Sequence, residues 1–256
     1  MLHTARRPRP RVAAAAVAGI GLLATIGVVV TPSHAGTTSR AATHHHHPAP
    51  SHFTQGRVDN PWFPLKPGTR WTYRGSDSGD RTRDVVIATY RTRVIDGVTC
   101  RAVFDRVWTN GRLGERTMDF YAQTRRGTVW YFAERTAEIG PRGHVTSREG
   151  SFRSGVDGAE AGVFMAVHPH RGPSYFQEFY RGHAMDIFTV ARRGAHVAVP
   201  FVRSDHALLT RETTPLEPGV VDHKYYIRDI GSVREVTVKG GSEKLHLVAV
   251  RHIPRR

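Results

Sequence analysis

The sequence contains little cysteine, and this scarcity limits how the fold can be stabilised. Cys100 is the only cysteine among 256 residues, so the chain has no internal disulfide and its fold must depend on an apolar core. Cys100 follows Val98 and Thr99 in a strand-like stretch and has no neighbouring histidine. We therefore expect a buried, inert thiol rather than a catalytic nucleophile.

Sequence motifs for acyl transfer, metal binding and nucleotide binding are also missing. The chain has no Gly-x-Ser-x-Gly, no His-Glu-x-x-His, no phosphate-binding glycine loop and no EF-hand spacing of acidic residues. It has no basic helix, zinc-finger spacing or aromatic-basic RNA motif. These absences predict no cofactor and no specific nucleic-acid partner, and they leave open whether the protein is an enzyme.

The chain carries a large positive charge. Lysine and arginine outnumber aspartate and glutamate by 37 to 22, which gives a formal net charge of +15. Four of these charges lie near the N-terminus, at Arg6, Arg7, Arg9 and Arg11. A chain without them keeps a charge of about +11, which favours contact with anionic surfaces such as wall polymers or lipid headgroups.

The first 35 residues have the order of a secretory signal peptide. The arginine-rich start is followed by an apolar run over residues 12–30 and by the small-x-small site Ser33-His34-Ala35. An uncleaved membrane anchor is the second interpretation, because about 18 apolar residues can span a bilayer. Glycines within the run and Pro32 after it favour cleavage behind Ala35. We therefore predict a secreted, extracellular protein that meets the membrane only in transit.

Residues 36–57 predict a disordered linker. The segment is rich in His, Pro, Ser and Thr and has no apolar periodicity. It includes a run of four histidines that could bind a transition metal through neutral imidazoles, namely His44, His45, His46 and His47. A low-complexity linker without a specific role is the alternative interpretation.

Residues 58–256 predict a single all-β domain with mainly antiparallel strands. Short runs of alternating apolar and polar residues, such as residues 71–74, are separated by turn signals such as Asp96-Gly97 and Asn110-Gly111. Helical periodicity is nearly absent, so we expect a curled sheet, half-barrel or sandwich with at most one or two short helices. Residues 150–170 predict a long Gly-rich loop that includes a short helix over residues 159–165.

The segment from Asn60 to Tyr73, Asn-Pro-Trp-Phe-Pro-Leu-Lys-Pro-Gly-Thr-Arg-Trp-Thr-Tyr, resembles the opening motif of a family of secreted, mainly actinobacterial proteins of unknown function. Residues 129–132, 155–159 and 214–226 resemble later blocks of that family, so the similarity extends over residues 58–250. The resemblance implies a fold rather than an activity. Within the motif we expect four large apolar side chains to pack against one end of the sheet: Trp62, Phe63, Leu65 and Trp71.

A second, looser resemblance concerns bacterial envelope proteins. The strand order and the ending Tyr225-Tyr226 followed by Gly231-Ser232-Val233 are similar to the half-barrel sheets that carry lipids or lipoproteins. Those sheets usually end in Gly-Leu-Val, so Ser232 departs from the pattern. The resemblance implies a lipid or lipoprotein ligand.

Polar residues within aromatic strands form the predicted site. Alternation places His223 and Tyr225 on one strand face, and Glu178 and Tyr180 share a face of another strand. Six residues then make up the predicted ligand-binding surface under a loop of residues 155–160: His223, Tyr225, Glu178, Glu212, Tyr180 and Asp157.

Three functions remain open for this surface. The first is a non-enzymatic domain that binds an apolar or amphipathic ligand, or an anionic cell-surface polymer, so that a lipid or a cell-wall polymer is the expected partner. The second is a secreted hydrolase that uses His223 with Glu178 or Glu212. The third is a structural envelope protein. The absence of a nucleophile motif favours binding over hydrolysis.

Overall fold

The computed structural model describes residues 42–255 and consists almost entirely of β-strands. The predicted signal peptide, residues 1–35, and residues 36–41 of the predicted linker lie outside this range. Within residues 42–255, the one helix is a 3-10 turn at Pro50–His52, and no helix has the length and apolar character needed to span a membrane.

Residues 42–255 contain seventeen strands. The first nine are β1 (Asp59–Asn60), β2 (Phe63–Pro64), β3 (Thr69–Asp77), β4 (Asp80–Ile95), β5 (Val98–Thr109), β6 (Arg112–Gln123), β7 (Val129–Ile139), β8 (Val145–Ser147) and β9 (Phe152–Arg153). The remaining eight are β10 (Glu160–Met165), β11 (Ser174–Phe176), β12 (Glu178–Phe179), β13 (Ile187–Ala198), β14 (Arg203–Thr213), β15 (Val221–Ile227), β16 (Gly231–Lys239) and β17 (Lys244–His252).

The strands form one antiparallel sheet that curls into a nearly closed barrel. The order is β11-β13-β14-β15-β16-β17-β3-β4-β5-β6-β7-β10-β12, with β8 and β9 paired to β7 and with β1 and β2 forming a separate pair. The two ends of this order, β11 and β12, are separated in sequence only by Gln177, so the edges of the sheet must meet. The predicted all-β, curled antiparallel fold is confirmed.

Two hairpin turns occur where the sequence predicts them. Asp96 and Gly97 have φ angles of 49° and 73° and connect β4 to β5. Asn110 and Gly111 have φ angles of 51° and 84° and connect β5 to β6. Two successive residues with positive φ give the turn whose twist matches paired strands, which explains the preference for Asx-Gly.

The large apolar side chains of the opening motif are buried, as predicted. Trp62, Phe63, Leu65 and Trp71 are each no more than 5% exposed. The indole Nε1 of Trp71 donates a 2.8 Å hydrogen bond to the carbonyl of Ile230, which connects β3 to the turn before β16. The motif is therefore part of the core that holds the start of β3 against β16.

Cys100 is fully buried in β5, as predicted. Its Sγ lies 3.4 Å from the carbonyl oxygen of Val98, and burial raises the pKa of the thiol far above its ordinary value. A thiol that stays protonated and inaccessible is chemically inert.

The helix predicted over residues 159–165 is wrong, because the segment forms strand β10. This strand pairs with β7 on one side and with β12 on the other. Ala161, Gly162, Val163, Phe164 and Met165 are all buried. A continuous apolar run is typical of a strand that is covered on both faces, and periodicity alone does not distinguish such a strand from a short buried helix.

Residues 42–57 pack on the domain and do not form the predicted disordered linker. Thr43 forms a parallel bridge with Tyr175 of β11, and Phe53 is buried with 1% of its surface exposed. The ring of Phe53 lies 5.4 Å from that of Phe132, and the ring of His47 lies 5.1 Å from it. These few ring contacts fix a segment whose average composition is that of a disordered chain.

Gly162 in β10 lies where the backbone of residues 176–177, between β11 and β12, passes close to it and closes the sheet. A Cβ at this position would lie 2.3 Å from the carbonyl oxygen of Phe176 and 2.4 Å from the carbonyl carbon of Gln177. We expect Gly162→Ala to lower the free energy of unfolding by about 1–3 kcal/mol, because backbone atoms must move to admit the methyl group. Urea unfolding checks this value. Gly241→Ala is the control, because Gly241 is exposed, has no positive φ, and a Cβ there would meet only the side chain of Thr237, which can rotate away. An equal loss in that variant would contradict the explanation.

Candidate functional site

The structure separates His223 from the carboxylates that were predicted to pair with it. In β15 the Cα of His223 lies opposite Arg211 and Val236, whereas Glu212 lies opposite Asp222. Asp222 is buried and His223 is half-buried, so the two neighbours occupy opposite faces of the sheet. Within residues 42–255, no hydrogen bond or ion pair connects His223 to Glu178 or Glu212. The imidazole–carboxylate pair that the hydrolase hypothesis requires is therefore not formed.

The outer face of β15 surrounds His223 and Tyr225 with arginines. Partial burial and the nearby Arg211 lower the pKa of His223. The guanidinium of Arg234 lies 5.4 Å from the ring centroid of Tyr225. These neighbours favour a neutral imidazole and a cation–π contact on the outside of the barrel.

The Gly-rich loop and the two other predicted site residues lie away from His223. Ser154, just before the loop, donates a 2.8 Å hydrogen bond to Asp96 in the β4–β5 turn. Asp157 is exposed with a φ of 52°. Tyr180 stacks on His183 with ring centroids 4.5 Å apart. The predicted six-residue surface is therefore dispersed over several parts of the barrel.

The histidine run contacts carboxylates on the domain. His46 Nδ1 and His44 Nε2 lie 2.6 Å and 3.4 Å from the same oxygen of Glu160, and His47 Nε2 lies 3.0 Å from Asp96 Oδ2. His45 lies beside Tyr175, with ring centroids 5.8 Å apart. In the described part of the chain, no three His, Cys, Asp or Glu side chains are arranged to hold a metal ion. The imidazoles of this run therefore attach the N-terminal segment to the barrel.

The interior of the barrel is acidic. Half of the chain's 22 acidic side chains are buried, namely Asp77, Asp84, Asp105, Glu115, Asp119, Glu134, Glu178, Glu212, Asp222, Glu235 and Glu243. Among residues 42–255, the buried basic side chains are Arg101 and Lys224. Of the 31 basic and 22 acidic residues within residues 42–255, 29 basic and 11 acidic side chains are therefore not buried. The exterior is therefore more basic than the net charge indicates.

Lys224 lies between two of the buried carboxylates. Its Nζ is 2.9 Å from Glu212 Oε2 and 3.4 Å from Glu235 Oε1. Glu212 also accepts hydrogen bonds from Thr210 at 3.0 Å and from Tyr226 at 3.4 Å. Burial disfavours the ammonium, but Glu212 and Glu235 outweigh it and raise the pKa of Lys224. This ion-pair network fixes β14, β15 and β16 on their inner faces.

A second acidic group surrounds the hydroxyl of Tyr131. The hydroxyl oxygen lies 2.7 Å from Asp119 Oδ1 and 2.9 Å from Glu134 Oε2. The phenol has a single proton, so one carboxyl must carry a proton for both contacts to be full hydrogen bonds. Burial raises the pKa of Asp119 and of Glu134, and the neighbouring carboxylates add to the effect. The hydrogen-bond geometry and the burial therefore both favour a protonated carboxyl beside Tyr131.

Glu178 belongs to this interior. Its Oε1 accepts a 3.0 Å hydrogen bond from the backbone N–H of Asp186, and its Oε2 is buried without a hydrogen-bond partner in the described chain. Burial raises its pKa first, the charge of Asp186 adds to this, and Lys224 partly opposes it. Glu178 and Glu212 therefore share the environment of Lys224, a residue that the sequence did not single out.

An open groove lies beside the opening motif, and we call it the first groove. Its volume is about 710 Å³, within the range of small-molecule sites. Apolar side chains line it at Leu65, Trp71, Ile230, Val250 and Phe201. Phe201 is 41% exposed, which is unusual for a phenylalanine in the described chain.

Three basic side chains and two carboxylates, those of Asp59 and Asp229, also line the first groove. Arg57 is ion-paired with Asp59 at 3.4 Å, and Lys66 is exposed. Arg101 is only 9% exposed, and its Nη1 donates to the carbonyls of Thr89 and Arg91 at 3.2 Å and 3.4 Å. Its Nε has no hydrogen-bond partner, and burial lowers the pKa of its guanidinium. No carboxylate in residues 42–255 forms an ion pair with Arg101, so the first groove has a buried cation whose hydrogen-bond acceptors are two backbone carbonyls.

Comparison with known proteins gives few matches. No protein-family model matches the chain, and no curated protein matches its sequence. Two solved structures are similar. One, from Bacteroides fragilis, is named as an exported protein with a YmcC-like fold; it has a TM-score of 0.43 and 10% identity, over 74% of this chain and 98% of the other. The other, from Parabacteroides distasonis, is named as a lipoprotein; it has a TM-score of 0.41 and 8% identity, over 76% of this chain and all of the other.

Proposed function

We propose that this protein is an exported binding protein whose ligand is an anionic amphiphile held in the first groove. The signal-peptide pattern of residues 1–35 supports export. The observation that carries the proposal is the buried guanidinium of Arg101, which has no ion-pair partner within residues 42–255, beside the apolar side chains of the first groove. An unpaired buried charge costs free energy, and an anionic ligand would remove that cost.

The apolar side of the first groove suits the other half of such a ligand. A separate, smaller cavity of about 20 Å³ adjoins the first groove. Both are lined by Pro64, Leu65, Trp71 and Ile230, which form the apolar floor of the groove. An alkyl chain lying on this floor would cover apolar surface at about 25 cal/mol per Å². A head group that carries negative charge would then contact Lys66 and Arg101.

Dodecyl phosphate below its micelle concentration is a suitable probe. We expect saturable binding, measured by calorimetry and by tryptophan fluorescence, to which Trp71 in the groove contributes. Arg101→Gln and Lys66→Gln should each weaken binding about tenfold, since a hydrogen bond to a charged group contributes about 1.5–3 kcal/mol. Lys66 is exposed, so the second variant tests the groove without disturbing the core.

The control variant is Arg116→Gln, which removes an exposed arginine from β6 outside the groove. It should bind dodecyl phosphate as the unaltered protein does. Inorganic phosphate tests the head group alone, and dodecyl glucoside tests the chain with an uncharged head; both should bind more weakly. Absence of saturable binding would exclude the proposal and favour a structural envelope role. Equal weakening by all three substitutions would show general charge attraction rather than a site.

A further inference from the structure

A second groove lies between the β6–β7 turn and the docked N-terminal segment. Its volume is about 450 Å³. The backbone N–H of Arg125 donates a 2.8 Å hydrogen bond to the carbonyl of His52, and Phe53 bridges to Thr124. The turn is closed by a 2.9 Å hydrogen bond from the N–H of Thr124 to the carbonyl of Thr128. Both walls of the second groove are therefore fixed by backbone hydrogen bonds.

Hydrogen-bond donors dominate the second groove. Its charged lining residues are Arg125 and Arg126, both exposed, and no aspartate or glutamate lines it. His52 and three hydroxyl side chains complete the polar lining, the latter at Ser51, Thr124 and Thr128. Within residues 42–255, neither arginine is ion-paired. A ligand that matches this lining must supply acceptors and negative charge.

Trp130 gives an independent indication of a ligand. Its side chain lines the second groove and is 95% buried, since its relative exposure is 5%, and its Nε1 has no hydrogen-bond partner in the described chain. An unsatisfied buried donor is rare in a native protein. The second groove therefore combines this indole with two guanidinium groups that form no ion pair in the described chain and with three hydroxyls. Such a lining is expected of a site for an oxygen-rich anion.

We propose that the second groove binds an acidic glycan, a carbohydrate chain that carries uronic acid carboxylates. A guanidinium binds a carboxylate through two parallel hydrogen bonds, which makes Arg125 and Arg126 suited to uronate groups. The hydroxyls of Ser51 and Thr128 match the ring oxygens and hydroxyls of a sugar. Single-stranded nucleic acid usually requires several aromatic side chains for base stacking, and the second groove offers only Trp130 and His52.

Tetragalacturonate is the probe for this site. We expect saturable binding that quenches tryptophan fluorescence. Replacing both Arg125 and Arg126 by glutamine should weaken it at least tenfold, whereas maltotetraose, the uncharged analogue, should not bind detectably. Trp130→Phe, which keeps an aromatic ring but removes the indole N–H together with part of the ring system, should weaken binding about threefold.

The chain offers a matched control in Arg192 and Arg193, an adjacent exposed pair on β13. Their double replacement by glutamine removes the same charge and should leave tetragalacturonate binding unchanged. Equal losses in the two double variants would overturn the proposal, because binding would then follow net charge. Tighter binding of octathymidylate than of tetragalacturonate would assign the groove to nucleic acid instead. The two proposals can fail independently, because Arg57, Lys66 and Arg101 line the first groove and do not line the second. Absence of dodecyl phosphate binding would therefore leave the tetragalacturonate result unaffected.

Discussion

Replacing Lys224 by methionine should lower the free energy of unfolding by about 3–5 kcal/mol, the cost of removing one partner from a buried ion pair. The ammonium lies 2.9 Å from Glu212 and 3.4 Å from Glu235, and all three side chains are buried. Methionine keeps an unbranched side chain of similar length, so the loss measures mainly the missing charge. Urea unfolding followed by fluorescence and circular dichroism gives the value.

A second variant keeps this prediction testable if the single variant fails to fold. Lys224→Met combined with Glu212→Gln removes both charges of the closer pair, and it should recover at least half of the lost stability. Lys239→Met, an exposed lysine on the adjacent strand β16, is the matched control and should change stability by less than about 0.5 kcal/mol. A loss below about 1 kcal/mol for Lys224→Met would show that the interior does not depend on this cation.

The sequence predicts the strands well because alternation and turn chemistry are local signals. Asp96-Gly97 and Asn110-Gly111 connect paired strands as expected, and the opening motif is buried. The closure of the sheet is not a local property. It depends on Gly162 passing close to the backbone of Phe176 and Gln177, and nothing in residues 159–165 alone distinguishes that strand from a short helix.

The sequence does not predict the buried network around Lys224, because alternation shows that the two faces of a strand differ but not which face lies inside the barrel. In β15 the face with His223 and Tyr225 is the predicted binding surface, although Lys224 and Tyr226 of the other face are the more buried. The same ambiguity applies to β6, where alternate positions carry the buried side chains of Glu115, Thr117 and Asp119. A polar strand face usually meets water, and a barrel with an acidic interior reverses that rule.

The stability of the protein should fall as pH rises from 6.5 to 8.5. Burial and the charge of Asp105 raise the pKa of Glu115 to about 7. Burial, partly opposed by Lys224, raises the pKa of Glu235 to about 8. The ordinary pKa of a glutamate is 4.5, so between pH 6.5 and 8.5 the folded protein binds protons that the unfolded chain has released. The stability that these two carboxyls contribute is therefore fully present below about pH 4.5. It is lost as the pH rises through their folded-state pKa values of about 7 and about 8.

Each such carboxyl changes the free energy of unfolding by about 1.4 kcal/mol per pH unit while it is protonated only in the folded state. Averaged over pH 6.5 to 8.5, Glu115 and Glu235 together keep about one proton in the folded protein that the unfolded chain has released. The free energy of unfolding therefore falls by about 3 kcal/mol over this range. Groups with the opposite effect act at or below the lower end of this range, where the unfolded chain still binds their protons. Partial burial lowers the pKa of His223 and His246 below 6.5, and the hydrogen bond from His47 lowers that of Asp96.

Urea midpoints at half-unit steps between pH 6.5 and 8.5 measure this slope directly. Glu235→Gln replaces a titrating carboxyl by an amide and should flatten the curve in its upper half, while Glu115→Gln should flatten its lower half. Asp157→Asn alters an exposed carboxyl and should leave the slope unchanged. A stability that is constant or rises over this range in the unaltered protein would mean that these carboxyls are ionised in the folded state. The interior would then need cations other than Lys224 to balance Asp119, Glu134 and their neighbours.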